Sequence, residues 1–350
     1  YTSRCKKPQA SSSRSCRVND DCVMPPQLVS SFPEKTSSPQ ITQNLRRIFK
    51  HYTGTIWRPP YEAGSLLLEV TAGCTHHQCK FCTLYDDIPF RFRMTPLEDI
   101  EADLLEAQTY YRSPFGRKRP VRRVFLVGAN PFVLQFARLK TIAERIHHFF
   151  PECESIGCFA RITDVAAKTD DELRQLHALG YDGITIGVET GDDAALAFMR
   201  KGYTSVDILT QTRRLDAAGL SYCYLCLVGL AGKGRGVASA KASAALLSQT
   251  HPRLLGTSML TLYPNSDLYR EMQAGNWTEE PELEKLEELR TFVQHLTLSA
   301  FFCTPGASNA FYIEGRLPAD RAALLARLDT ILAQTNERDL RHYRTHLKHL

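Results

Sequence analysis

Cys74, Cys79 and Cys82 fall within GCTHHQCKFCTLYDD, positions 73–87 of the chain. Three soft thiolates separated by four and by two residues can wrap a compact metal centre. A 4Fe-4S cube would take one iron per cysteine and leave a fourth iron without a protein ligand, open to chemistry. A tetrahedral zinc site is the alternative, with Cys79 and Cys82 as a half-site and His76 or His77 completing a Cys3His set. A histidine drawn from inside so short a loop crowds the cysteines beside it, and no later Cys/His pair supplies a second zinc-finger half. The spacing therefore favours the cluster over zinc. Inert structural thiols suit a polar, Gly-flanked loop least.

The elements that must hold this loop are legible in outline. The 350 residues are 43% hydrophobic, enough to bury a full core as one large domain or one domain with an appendage. The longest apolar runs, such as 222–230, fall well short of the roughly 20 residues a bilayer span needs, and no leader is read. A soluble, cytoplasmic protein is expected. Eleven cysteines, odd in number and irregular in spacing, do not read as a secreted disulfide framework. A net charge of +5 does not by itself imply nucleic acid.

Residues 1–55 are rich in Ser, Pro, Gln and basic side chains and read as a disordered extension, with Cys5, Cys16 and Cys22 given no role. Short β-rich runs then alternate with helical segments, the pattern of a parallel sheet wrapped by helices. The expected strands are 65–70, 124–128, 155–160, 183–188, 222–228 and 255–262. Helix starts are marked by Thr95-Pro96-Leu97-Glu98, by Thr169 with Glu172, and by Thr204 with Asp207, and ends by Gly180 and Gly219. Six β/α units are too few for a closed eight-stranded barrel and predict an α/β fold, an open partial (β/α)6 TIM-like barrel over 56–275. Residues 276–350 read as a C-terminal helical appendage: two amphipathic helices, around Leu283–Val293 and Leu324–Ile331 in apolar pattern, joined by a loop through 304–317. The three cysteines then follow the first strand, on the face where parallel β/α folds assemble their sites.

In that setting the residues resemble the radical S-adenosylmethionine (radical SAM) enzymes. Their signature places three cysteines after the first strand of a six-unit partial barrel, with an aromatic residue before the last, here Phe81. The first gap is four residues where the usual one is three. ITIGVETGDDAALAFMRKG (184–202) and LCLVGLAGKG (225–234) look like the fourth and fifth strand ends of the subgroup containing oxygen-independent coproporphyrinogen oxidases and methylthiotransferases. Longer stretches resemble a bacterial subfamily of unassigned reaction. The resemblance implies a cluster on the three cysteines with SAM chelating its open iron. It places Phe81 beside the adenine, the backbone of Gly128, Ala129 and Asn130 near the methionine amine, and Glu189 toward the ribose or methionine moiety. Lys201, or Arg200 next to it, would meet the SAM carboxylate. Those types suit a sulfonium cofactor with an amino-acid tail, which needs a carboxylate for its hydroxyls and a cation for its carboxylate.

Arg161, just after the third strand, faces the same pocket and is kept as a candidate. Cys223 and Cys226 lie three apart in one strand and so point to opposite faces, which keeps them from sharing a metal. Cys153 and Cys158 read as structural. The basic run Arg112, Arg117, Lys118, Arg119, Arg122, Arg123 reads as a solvated connection. The expected function is reductive SAM cleavage to a 5'-deoxyadenosyl radical that abstracts hydrogen from an unknown small molecule. An electron donor such as a flavodoxin or ferredoxin is expected, without a membrane or nucleic-acid partner. Two alternatives stand beside it, a non-catalytic zinc or iron–sulfur electron-transfer protein and a tRNA-modifying enzyme. Against the second weighs the acidic run of Glu279, Glu280, Glu282, Glu284, Glu287 and Glu288 in the tail.

Overall fold

The computed structural model describes residues 52–113 and 120–347, all within the compact unit His51–Leu350. Its frame is one curved sheet of eight strands: β1 (Leu66–Glu69), β4 (Arg123–Val127), β5 (Ser155–Ala160), β6 (Ile184–Glu189), β7 (Tyr222–Val228), β8 (Leu254–Met259), β9 (Ala300–Cys303) and β10 (Glu314–Leu317). Spatial order equals chain order. Every neighbouring pair from β1 to β9 is parallel and β10 returns antiparallel on β9. The first and last strands do not pair, so the sheet stays an open, TIM-like partial barrel. A short antiparallel pair, β2 (Thr71–Gly73) with β3 (Phe92–Met94), stands beside it.

The crossovers are α1 (Leu97–Arg112), α2 (Phe136–Phe149), α3 (Ile162–Ala166), α4 (Asp170–Ala178), α5 (Asp193–Phe198), α6 (Ser205–Ala218), α7 (Gly236–Leu247), and α8 (Asp267–Gln273) with α9 (Glu282–His295). The chain ends in α10 (Arg321–Gln334) and α11 (Glu337–Thr345). Helices pack on the outer face of the strands because alternate strand residues point out. Val124, Leu126 and Ile184 are fully buried with Leu104 and Ile142 of the helices, each burial stabilising the fold by about 2 kcal/mol. Capping acts as the sequence predicts at two helices. Thr169 and Glu172 exchange hydrogen bonds at 2.8 and 3.1 Å at the start of α4. Thr204 and Asp207 do the same for α6, which Gly219 closes at φ +76°.

Several expectations are corrected. Helix α1 begins at Leu97 with Pro96, which has no side-chain acceptor, as its cap, and the Thr95 N–H donates to the Val70 carbonyl at 3.0 Å. The tail is not purely helical: the segment expected as a loop contains β10, and β9 precedes it, so the C-terminal region extends the barrel sheet. Leu283, placed on an apolar helix face, is exposed. Residues 52–55, assigned to the loose extension, are tied down, with Tyr52 Oη donating to the Leu67 carbonyl at 2.7 Å and the Thr53 N–H to Glu69 at 2.8 Å. The rest of the expected extension, with Cys5, Cys16 and Cys22, lies outside the described residues.

Arg123 is not part of a solvated connection. It turns into the barrel floor, where Nη2 and Nε meet the Glu62 carboxylate at 2.6 and 2.9 Å. Glu62 is 1% exposed, so the pair is held inside the fold. Gly157 makes room for it, since a Cβ there would stand 2.3 Å from Arg123 Nη2. Tyr61 completes the floor by sharing a hydrogen bond with Thr185 at 2.9 Å. Arg122 instead pairs with Glu154 at the surface, and Arg117, Lys118 and Arg119 lie outside the described residues.

Candidate active site

The cysteine loop occupies residues 74–91, a long hairpin connection whose base is pinned by β2 and β3. The Cys74 N–H donates to the Arg91 carbonyl at 2.9 Å, and the Arg91 guanidinium donates back to the carbonyls of Thr75 and His76 at 2.7 and 2.5 Å. Cys79 and Cys82 close a turn through Cys82 N–H to Cys79 O at 3.1 Å. Lys80 between them docks the loop: its N–H meets Met199 O at 3.2 Å, its carbonyl accepts from the Leu268 N–H at 2.7 Å, and its Nζ pairs with Glu271 at 2.8 Å. Trp57 adds a bond from Nε1 to Leu84 O at 3.0 Å. The long first gap turns through His77, which adopts φ +45° and directs its N–H to Cys74 Sγ at 3.4 Å.

All three thiols are free, and they act on one another electrostatically. Burial raises the pKa of Cys79, with Lys201 and Arg161 pulling the other way. Cys82 is exposed as a residue, yet its sulfur lies among enough protein atoms that burial pushes its pKa up to about 12. Zinc fits poorly. His76 Nε2 is 2.6 Å from the Arg200 carbonyl and His77 Nε2 is 3.4 Å from Asp86, so both rings are engaged away from the cysteines.

The strand ends supply the other candidates. Glu189 closes β6 at φ +66°, where the register with β7 shifts, so its carboxylate is carried on left-handed backbone. Lys201 Nζ meets it at 3.0 Å, with the side chains 5% and 13% exposed. Burial is the largest single influence and opposes the lysine charge, but Glu189, Tyr203 and Cys79 together outweigh it and hold the Lys201 pKa well above the ordinary value. The ammonium also lies 5.6 Å from the centre of the Phe81 ring and 5.5 Å from that of Tyr203. Of the two candidate cations Lys201 is the buried one, while Arg200 is exposed and holds His76 through its carbonyl. Arg161 donates to Thr163 Oγ1 at 3.0 Å and to the Lys201 carbonyl, 5.7 Å from the Tyr203 ring.

Gly128 ends β4 at φ +131°, and a Cβ there would lie 2.0 Å from Thr71 Oγ1, so only glycine lets β4 and β2 approach this closely. Asn130 is fully buried. Its Nδ2 donates to Thr75 Oγ1 at 2.8 Å and to Asp164 at 3.1 Å, joining the cysteine loop to the start of α3. Burial raises the Asp164 pKa to about 6 against the hydrogen bonds it accepts.

Phe81, Cys82 and Glu189 open onto a cavity of about 480 Å³ at the C-terminal end of the strands. Its other walls include Trp57, Met259, Tyr263 and Ser308, none of which motif reading singled out. Tyr203 was also missed, although it stands two residues past Lys201 and its Oη donates to Gly187 O at 2.7 Å. The remaining cysteines behave as expected. Cys226 lies in the outer apolar core, whereas the Cys223 thiol faces Tyr61 and Arg253, and Cys153 and Cys158 are buried and free.

Residues 68–235 match the family described as the Radical SAM superfamily. That match, just under half of the chain, places a radical SAM domain within it; members of that superfamily bind a 4Fe-4S cluster and S-adenosylmethionine. Among solved structures, coproporphyrinogen III oxidase (HemN) from Escherichia coli shares 19% identity at a TM-score of 0.51, over 66% of this chain and 52% of that one. The radical SAM methyltransferase TsrM from Kitasatospora setae, solved with cobalamin and a [4Fe-4S] cluster, shares 16% identity at 0.48, over 60% and 39%. Methylornithine synthase (PylB) shares 14% at 0.45, over 88% and 93%. The chain thus spans about half of the first of these enzymes and less of the second; at these identities the likeness shows fold alone. No curated protein matches the sequence. Among the described residues no helix is long and apolar enough to cross a membrane.

Proposed function

We propose that Cys74, Cys79 and Cys82 hold a 4Fe-4S cluster and that Phe81, the Gly128–Asn130 backbone, Arg161, Glu189 and Lys201 surround S-adenosylmethionine. When bound, the reduced cluster and SAM together supply a 5'-deoxyadenosyl radical able to abstract hydrogen from a substrate. The protein's share is to orient and to exclude water. Glu189 accepts hydrogen bonds from hydroxyls, and Lys201 and Arg161 offset negative charge beside Cys79 and at a bound carboxylate. Phe81 packs a flat apolar face at the cavity mouth. Asn130 and Arg91 hold the loop so that its cysteines do not have to be ordered when a cluster arrives. A superfamily enzyme needs a reductant; a flavodoxin or ferredoxin is the partner proposed here.

The observation that carries the reading is that Cys82 and Glu189 line one cavity, with Lys201 paired to Glu189 at 3.0 Å and Cys74 and Cys79 close enough to Cys82 to act on it electrostatically. The acidic tail is a weaker argument against RNA than its composition suggests. Glu280, Glu282 and Glu288 are buried, and Glu282 is matched internally by Lys285 and Arg344. The test is iron and sulfide content with low-temperature electron paramagnetic resonance after anaerobic reconstitution. About four irons and a signal perturbed by SAM are expected, with both lost in Cys74→Ala, Cys79→Ala and Cys82→Ala. Zinc bound without sulfide would overturn the assignment.

A further inference from the structure

Building on that reading, we infer that the part of the substrate held in the cavity is a small, uncharged, largely apolar group, and that phosphate- or carboxylate-bearing groups are turned away. The wall away from Phe81, Cys82 and Glu189 comes from the end of β8, the loop at 305–308, β7 and the segment entering the barrel. Trp57, Leu225, Leu227, Met259 and Leu260 give it an apolar surface.

Two charged side chains line the cavity, and neither is a buried cation that would offset the desolvation of an anion. Glu189 is an anion itself, engaged by Lys201 at 3.0 Å. Arg58 is exposed and donates to the neighbouring Pro59 carbonyl at 3.3 Å. The cation behind the wall is also committed. Arg344 donates to Thr261 Oγ1 at 3.2 Å and Ser308 O at 3.0 Å, but its Nε faces both oxygens of Glu282 at 2.7 and 2.8 Å. What remains polar is neutral: Tyr263 Oη and Ser308 Oγ are buried without hydrogen-bond partners, and Ser258 lies beside them in the wall. A hydroxyl can give or take a hydrogen bond but cannot offset a full charge taken out of water. A ligand with an apolar body and one neutral polar atom matches these walls, and its polar atom would find hydroxyls that now lack partners.

The chain's two tryptophans make this testable without turnover. Trp57 lines the cavity, whereas Trp277 is buried elsewhere with Nε1 on the Leu230 carbonyl. In cluster-reconstituted, SAM-loaded Trp277→Phe protein, Trp57 emission is titrated with p-cresol, p-toluate and p-tolyl phosphate, three probes of one shape. Saturable quenching by p-cresol is expected, with both anions at least about tenfold weaker. Ser258→Lys should narrow or invert that preference. An anion that binds as tightly as p-cresol, or no saturable response to any probe, overturns the inference. Formation of 5'-deoxyadenosine in the same preparation is scored separately. Its absence alongside the p-cresol preference would sink the radical chemistry while leaving the cavity's selectivity standing.

Discussion

Replacing Lys201 by Met keeps most of the side chain's apolar stem and removes the charge that pairs with Glu189. At 3.0 Å, with an effective dielectric of about 20, the pair's attraction is roughly 5–6 kcal/mol. Most of that is offset by taking two charges out of water, but the balance turns unfavourable once a single partner is lost. A broken buried pair costs about 3–5 kcal/mol. Glu189 retains 13% exposure and can recover some hydration, so Lys201→Met should cost about 2–4 kcal/mol. Glu189→Gln leaves the Lys201 ammonium, 5% exposed, without its counter-charge and should cost about as much, offset only by the hydrogen bond the amide oxygen can still accept. In the double variant the cost should fall well below the sum, with a coupling of at least about 1.5 kcal/mol. Urea titration of the four proteins in the cycle, prepared without a cluster, measures this directly. A single variant within about 0.5 kcal/mol of the parent, or strict additivity, would refute the reasoning.

Gly128→Ala should destabilise by about 2–4 kcal/mol, since its Cβ would stand 2.0 Å from Thr71 Oγ1 on backbone at φ +131°, whereas Gly64→Ala, with nothing within 4 Å, should stay within about 0.5 kcal/mol. Thermal melts compare the two. Asp164, raised to about 6, holds its proton more tightly folded than unfolded. Its contribution is therefore largest below the unfolded value near 4 and is lost as pH rises through about 6. The parent should lose up to about 3 kcal/mol over that window relative to Asp164→Asn, measured by denaturation at each pH; parallel profiles would remove Asp164 as the cause.

The parts of this fold that show in the sequence are those whose signal is local. Strands such as 222–228 carry continuous apolar runs, and Thr169 with Glu172 places a helix start within one turn. The cysteines stood out by their spacing after a strand, and Glu189 by the family resemblance of the stretch around it. What stayed hidden depends on distant partners or short elements. β2 and β3 have three residues each, and β9 and β10 four, too few to establish a period of two. Arg123 read as a surface cation because its partner, Glu62, lies 61 residues away. Glu282 read as surface charge for the same reason, its match Arg344 being 62 residues off. The far wall of the cavity comes from loops without a motif, so Tyr263 and Ser308 could be found only by packing.

The central claim is tested most directly by the fate of S-adenosylmethionine. The protein, purified and reconstituted with iron and sulfide without oxygen and then reduced, should release 5'-deoxyadenosine and methionine, and Cys79→Ala should release neither. A cluster that assembles fully yet leaves SAM intact under every reductant tried, or product that persists in Cys79→Ala, would contradict the account.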